Sequence, residues 1–217
     1  MRVSTAFLLA LLTGAAIAQT PRNAALIEAA GVGDGALVAR LLREGADVLA
    51  RDSDGATALL VATRSNRVEA ARLLIHAGAD VNAADNLKDS AYLLAGARGH
   101  TEILKLTLAA GADPTSTNRF GGTALTPACH YGHVDTVRVL LATRVDIDQV
   151  NRLGWTCLLE AVILGDGGPR HVEIVRMVLA AGAKINLADR EGVTPMAHAR
   201  RRGQAQIVEI LHAAGAR

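Results

Sequence analysis

Seven histidines, two cysteines and one glycine-rich insertion are the residues whose types could do chemistry in this chain. His130 and His133 stand three apart, but no carboxylate or cysteine cluster completes a zinc site around them. Cys129 and Cys157 would make a disulfide only if their Cα atoms came within about 7 Å. Asp166-Gly167-Gly168-Pro169-Arg170 is turn chemistry, and no Gly-Lys-Ser/Thr follows it to make a phosphate-binding loop. A Gly-x-Ser-x-Gly nucleophile motif is absent as well. The residues therefore predict no catalytic group, no metal and no cofactor.

The elements that would have to position such groups repeat with a period of about 33 residues. Helix-start residues recur at Thr57, Ser90, Thr123 and Thr156, and glycines at Gly45, Gly78 and Gly111. The next helix start, Thr194, comes later than that period allows, because five residues (166–170) are inserted. A fixed period of this length marks a stacked repeat array, which presents an extended surface to a partner. Half the chain is hydrophobic and only 2% is aromatic, so Ala, Leu, Val and Ile supply the volume, as suits thin layers between repeats.

The first of the full repeats shows the logic. Asp52-Ser53-Asp54-Gly55 is a turn, and Thr57 can cap a first helix by accepting a backbone N–H. Asn66 and Arg67 turn the chain into a second helix over about Val68–His76, which Gly78 ends in a left-handed cap. These residues resemble the ankyrin repeat from about Arg22 to Arg217. Gly-Ala-Asp recurs at 45–47, 78–80 and 111–113, Gly-His at 99–100 and 132–133, and Thr-Pro at 194–195. The resemblance implies an all-α solenoid of helix pairs with projecting β-turns. Its units are an N-terminal cap at 23–50, repeats at 51–84, 85–117, 118–150 and 151–188, and a C-terminal cap at 189–217.

Departures from the family pattern concentrate in repeats two to four. Lys88 replaces a turn glycine, and Arg144 stands where a helix-ending glycine belongs, at a cost near 1 kcal/mol if positive φ is retained. Pro127 falls inside a first helix, where it would remove a hydrogen bond and bend the helix. The family histidine three residues after the helix-start threonine is replaced throughout, by Leu60, Leu93, Thr126, Leu159 and Ala197. That substitution predicts fewer polar links between repeats. His100, His133 and His171 share one register and read as turn residues at the second-helix starts. Stacked helices lie roughly 8–10 Å apart, and Cys129 and Cys157 are five positions out of register, about 7.5 Å along a helix. They are expected to be two small buried hydrophobes.

In ankyrin arrays the concave face is built from turn tips and the exposed end of the first helix. Carried over, those positions give Arg98, Arg119, Phe120, His130, Tyr131, Arg152, Leu153, Trp155, Ile163 and Leu164, with Leu87 and Arg190 in the flanking repeats. Phe120, Tyr131, Trp155, Arg119 and Arg152 would centre a protein-binding groove, since aromatic and arginine side chains dominate interface hot spots. The competing reading packs Trp155 and Phe120 against neighbouring turns. The insertion is read as a surface loop, with a second contact site as the alternative.

Residues 1–18 read as a secretory signal peptide: Arg2, an apolar Ala6–Leu12 run, and a small-residue cleavage site at Ala16-Ile17-Ala18. Residues 19–22 would be a short segment before the repeats, and an uncleaved, tethering leader is the alternative. Without Arg2 the formal charge of +2 falls to +1, which gives no pull towards nucleic acid or an anionic membrane. Arginine outnumbers lysine 20 to 3, a bias associated with GC-rich bacterial genomes. The whole is similar to exported ankyrin-repeat proteins of Gram-negative bacteria. It implies a monomeric scaffold for an unidentified protein partner, periplasmic or otherwise secreted, without membrane insertion after cleavage. A secreted effector or inhibitor acting on a host or competitor protein is the other reading.

Overall fold

The computed structural model describes residues 21–217. The leader at 1–18 and the start of the 19–22 segment lie outside the described residues. The chain forms two compact units, one ending at Asn86 and the other spanning Leu87–Arg217.

The first unit holds α1, helical over 21–32 and so already formed two residues before the expected start at 23. It continues with α2 (Gly35–Arg43), α3 (Ala58–Arg64) and α4 (Val68–His76). Thr57 caps α3 by accepting the Leu60 N–H at 3.3 Å. The Asp52 side chain holds the preceding turn by accepting from Asp54 N and Ala56 N. Arg64 pairs at 2.6 Å with Asp85, whose side chain is almost wholly buried.

The second unit holds four helix pairs. They are α5 (Ala91–Arg98) with α6 (Thr101–Ala109), α7 (Leu125–His130) with α8 (Val134–Leu141), α9 (Cys157–Ile163) with α10 (Pro169–Ala180), and α11 (Pro195–Arg201) with α12 (Ala205–Ala213). First helices pack in the row α5–α7–α9–α11 and second helices in the row α6–α8–α10–α12. Tyr92, Leu104, Leu125, Leu158, Leu159 and Ile174 fill the space between the rows. No strand occurs among the described residues. Ser90, Thr156 and Thr194 each cap a first helix by accepting the N–H three residues on, at 3.2–3.3 Å.

Four expectations need correction. Cys129 and Cys157 form a disulfide, their Cα atoms 5.5 Å apart. Their offset along the helices can be no larger than that separation, and so falls short of the expected rise of about 7.5 Å. Neighbouring first helices must slide or tilt relative to strict sequence register. Pro127 does remove a bond, but at the first turn. Elsewhere the residue four after the cap donates to the cap carbonyl, as Leu94 does to Ser90 and Glu160 to Thr156. Proline cannot, so α7 starts one residue late, from Ala124, and is only six residues long. The buried Thr123 hydroxyl, a cap in its sister repeats, is left without a partner.

Arg144 does not take positive φ, whereas Lys88 does, at +63°. Where Gly111 ends α6, Ala112 N–H reaches back to Thr107 O at 2.9 Å. At the end of α8 the Thr143 hydroxyl spans the same gap. It donates to Leu140 O at 2.6 Å and accepts from Val145 N at 3.2 Å, so no left-handed residue is required. Finally, His171 is not a helix-start residue. The insertion supplies Gly168 as cap and Pro169 as first residue of a twelve-residue α10, which places His171 inside the first turn.

Candidate functional site

Three turns of the second unit are built alike. The leading residue, Asn118, Asn151 or Asp189, donates its N–H to the carbonyl four residues on, at 2.9–3.1 Å. Its side-chain oxygen accepts the N–H groups two and four residues on. The bonds turn inward, and the two residues at each tip are pushed into solvent. Those tips are Arg119-Phe120, Arg152-Leu153 and Arg190-Glu191, all exposed. Arg152 N–H donates to Phe120 O at 2.8 Å, tying one tip to the next. Arg119 pairs with Asp89 of the preceding turn at 2.9 Å, and its guanidinium lies 4.9 Å from the Phe120 ring centroid.

The expected site residues fall into two strips. Arg119, Phe120, Arg152 and Leu153 form the turn-tip strip; Phe120 and Leu153 are each 51% exposed. Trp155 sits at the root of its turn, half-buried, its N–H held by Asn151. Part of its surface is therefore packing, as the competing reading had it. Arg98, His130, Tyr131, Ile163 and Leu164 form the other strip, at the far ends of α5, α7 and α9. The two strips are separated by the length of a short first helix, about 10 Å, whose middle residues are buried.

The helix-end strip carries a histidine cluster. His130 stacks on Tyr131 with ring centroids 4.1 Å apart, and His133 lies 6.0 Å from the same tyrosine ring. Burial lowers the pKa of His130, with His171 adding to it, and burial is also the main cause at His133. Both rings are thus kept neutral and suited to apolar stacking. His171 is buried and joins two segments: Nδ1 meets Asp166 Oδ1 at 2.7 Å and Nε2 meets His130 O at 2.8 Å. Hydrogen bonds from Gly168 and His171 hold the Asp166 carboxyl below the usual carboxylate range.

Polar links between repeats therefore exist, but from another register. Arg67 Nε bonds to Gly31 O within the first unit. In the second, His171 bonds to His130 O, and Gln204 Nε2 to Val162 O at 3.0 Å. Arg202 and His171 also anchor the insertion, one to Gly165 O and the other to Asp166.

Sequence reasoning missed Glu160. It is buried in α9 and accepts from Asn151 Nδ2 at 2.7 Å, so it braces the turn that carries Leu153 and Trp155. Burial pushes its pKa up to about 7, against the opposing Asn151 hydrogen bond. In the last repeat the same brace is His198 to Asp189, at 2.7 Å. A polar residue four after the cap, nine after the turn Asn or Asp, was the available signal.

Among the described residues no group of His, Cys, Asp and Glu is placed to hold a metal ion, and no helix is long and apolar enough to cross a membrane. A solvent-open hollow of about 490 Å³ lies against Arg176, Leu179, Glu209 and Ile210, on the second-helix row and away from both strips.

Residues 4–85 and 92–189 match the family model described as ankyrin repeats (three copies), a match that begins inside the segment read as a leader. Among solved structures, an ankyrin repeat domain from Acinetobacter baumannii AYE is 54% identical with a TM-score of 0.85, covering 88% of this chain and 98% of that one. The ankyrin repeat protein EF0377 is 40% identical with a TM-score of 0.84, covering 88% and 97%. The ankyrin repeat domain of Bcl-3, of the IkappaB protein family, is 28% identical with a TM-score of 0.78, covering 89% and 86%. YahD of Escherichia coli K12, described as an ankyrin repeat protein, is 47% identical over 58 residues. That match spans 27% of this chain and 29% of YahD.

Proposed function

The chain belongs to the ankyrin-repeat family, and on that premise we propose that it is a non-catalytic scaffold, exported from the cell, that binds a partner protein through the unit Leu87–Arg217. Arrays of these repeats are protein-interaction scaffolds. The observation that carries the reading is exposed apolar surface at the expected positions: Phe120 and Leu153 beside Arg119 and Arg152 on the turn-tip strip, and Tyr131 on the helix-end strip, each more than half exposed. Large side chains of this kind, clustered and unburied, mark interaction sites.

Export rests on the leader and on the Cys129–Cys157 disulfide, since such bonds persist in oxidising compartments. Pull-down from the exported fraction tests the reading. Wild-type protein should recover a partner that the Phe120→Ala/Tyr131→Ala double variant, still helical by circular dichroism, does not. Equal recovery by both would overturn it.

A further inference from the structure

Two rows of side chains run along the turn tips of the second unit, at one register position each. Leu87, Phe120 and Leu153 occupy the first row, 57%, 51% and 51% exposed, and Glu191 takes the next place in the unit. The second row holds Arg119, Arg152 and Arg190, one residue earlier in each turn and all exposed. Consecutive turns touch. Arg119 bonds to Asp89 of the turn before, and Arg152 N–H to Phe120 O. The Arg190 stem lies over Gly154 so closely that an added Cβ would come within 2.5 Å of it. The guanidinium groups of Arg152 and Arg190 have no ion-pair partner among the described residues. An apolar row and a parallel cationic row therefore advance together, one step per repeat.

We propose that this double row binds a partner segment in the polyproline II conformation that carries an apolar residue every third position with an acidic residue beside it. The proposal rests on the scaffold reading above and names the chemistry of its partner. The step of the ridge is that of packed first helices, roughly 8–10 Å. Polyproline II turns once every three residues at about 3.1 Å each, so residues i, i+3 and i+6 lie on one face about 9 Å apart. A β-strand repeats its face about every 6.7 Å and falls out of step. An α-helix repeats a face about every 10.5 Å, but helices dock in grooves through several anchors per turn. This ridge offers a single apolar line. The acidic residue is required by the arginine row; its attraction to the peptide weakens with salt.

The test uses the mature full-length chain and a synthetic peptide of four Leu-Pro-Glu triplets, blocked at both ends, with binding followed by NMR shifts of the turn amides. The peptide should perturb turns 119–122 and 152–155. Phe120→Ala/Leu153→Ala should weaken binding about tenfold or more, and Arg152→Ala/Arg190→Ala should weaken it several-fold and flatten its salt dependence. Gln206→Ala, exposed on the second-helix row at α12, should leave it unchanged. A Leu-Pro-Lys peptide should not bind. Absence of binding, equal binding by the ridge variants, or tighter binding of an acidic α-helical peptide with leucine every seventh residue would each overturn the proposal. Failure here together with partner loss by the Phe120/Tyr131 variant in pull-downs would leave the scaffold reading standing and reject only the polyproline II partner.

Discussion

Repeats three and four lie side by side, joined by Cys129–Cys157, and differ at one register position inside the first helix. Four residues after the helix-start threonine, repeat three has Pro127 and repeat four has Glu160. The proline lacks the N–H that would close the first turn, so α7 is short and Thr123 idle. The glutamate keeps that N–H bonded to Thr156 O and adds a side-chain bond to Asn151, so its turn is braced from the helix below. One position thus sets two things, where the helix begins and how firmly the turn tip is held. Repeat four gains order at the tip and carries a buried carboxyl for it. Repeat three avoids the buried charge and does without a brace from position 127; Asn118 closes its turn locally, and Arg152 N–H and Gln149 reach it from the next turn.

The largest expected effect comes from cutting the link between the two. Closing a loop across 28 residues of separation should be worth about 3–4 kcal/mol through the unfolded state. Cys129→Ala/Cys157→Ala should lose stability on that scale in urea unfolding, measured against the oxidised wild type. A loss under about 1 kcal/mol would mean that the two first helices are held by packing alone.

Next is the charge buried in repeat four. An unfolded Glu160 titrates near 4.5, the folded one near 7. Between those pH values the folded state keeps a proton that the unfolded state has released. Stability therefore falls as pH rises through this window and is level on either side. The size should be about 3 kcal/mol. Glu160→Gln keeps an oxygen for Asn151 and removes the charge, so it should stabilise by about that amount at pH 8 and do nothing at pH 4. A gain that is the same at both pH values would reject burial of an ionisable carboxyl as the cause.

The converse change repairs repeat three. Pro127→Leu restores the N–H facing Thr123 O and places there the residue that Leu94 already supplies in repeat two. It should let Thr123 cap the helix and add about 1–2 kcal/mol. Amide hydrogen exchange at Thr126 should slow, because its N–H gains the Thr123 hydroxyl as an acceptor. Exchange as fast as in the wild type would place the late start of α7 in tertiary packing instead of in the proline.

What the sequence made legible follows from what periodicity can carry. The helix starts at Thr57, Ser90, Thr156 and Thr194 were readable because capping is local, between a hydroxyl and an N–H three residues away. The exposed tips Phe120 and Leu153 were readable because turn register decides what points outward. The disulfide was not, because register fixes position along the chain but not the slide of one helix against the next. Glu160 was missed because its partner Asn151 is nine residues back, across a turn, and apolar residues hold its register position in Val61 and Leu94. Whether Arg144 kept positive φ was not legible for a related reason: a missing glycine implies strain only if nothing else satisfies the carbonyl, and the neighbouring Thr143 does so.

The smallest effect lies at the other ends of the two repeats, where α10 finishes in Gly182 at φ +95° and α8 has Thr143 and Arg144 instead. Val145 N and Leu140 O are held together only through the Thr143 hydroxyl, whereas Ala183 N bonds directly to Val178 O. Thr143→Val should therefore cost about 1 kcal/mol, the worth of a half-buried hydrogen bond left unmade. Adding Arg144→Gly should recover most of that loss by admitting the left-handed residue and the direct bond. Arg144→Gly alone should be near neutral, since the hydroxyl already does the closing and glycine adds flexibility to the unfolded chain. The coupling between the two sites, read from a double-mutant cycle in thermal unfolding, is what identifies the threonine as a substitute for the glycine. Strictly additive effects would make the two residues independent, and the hydroxyl contact incidental.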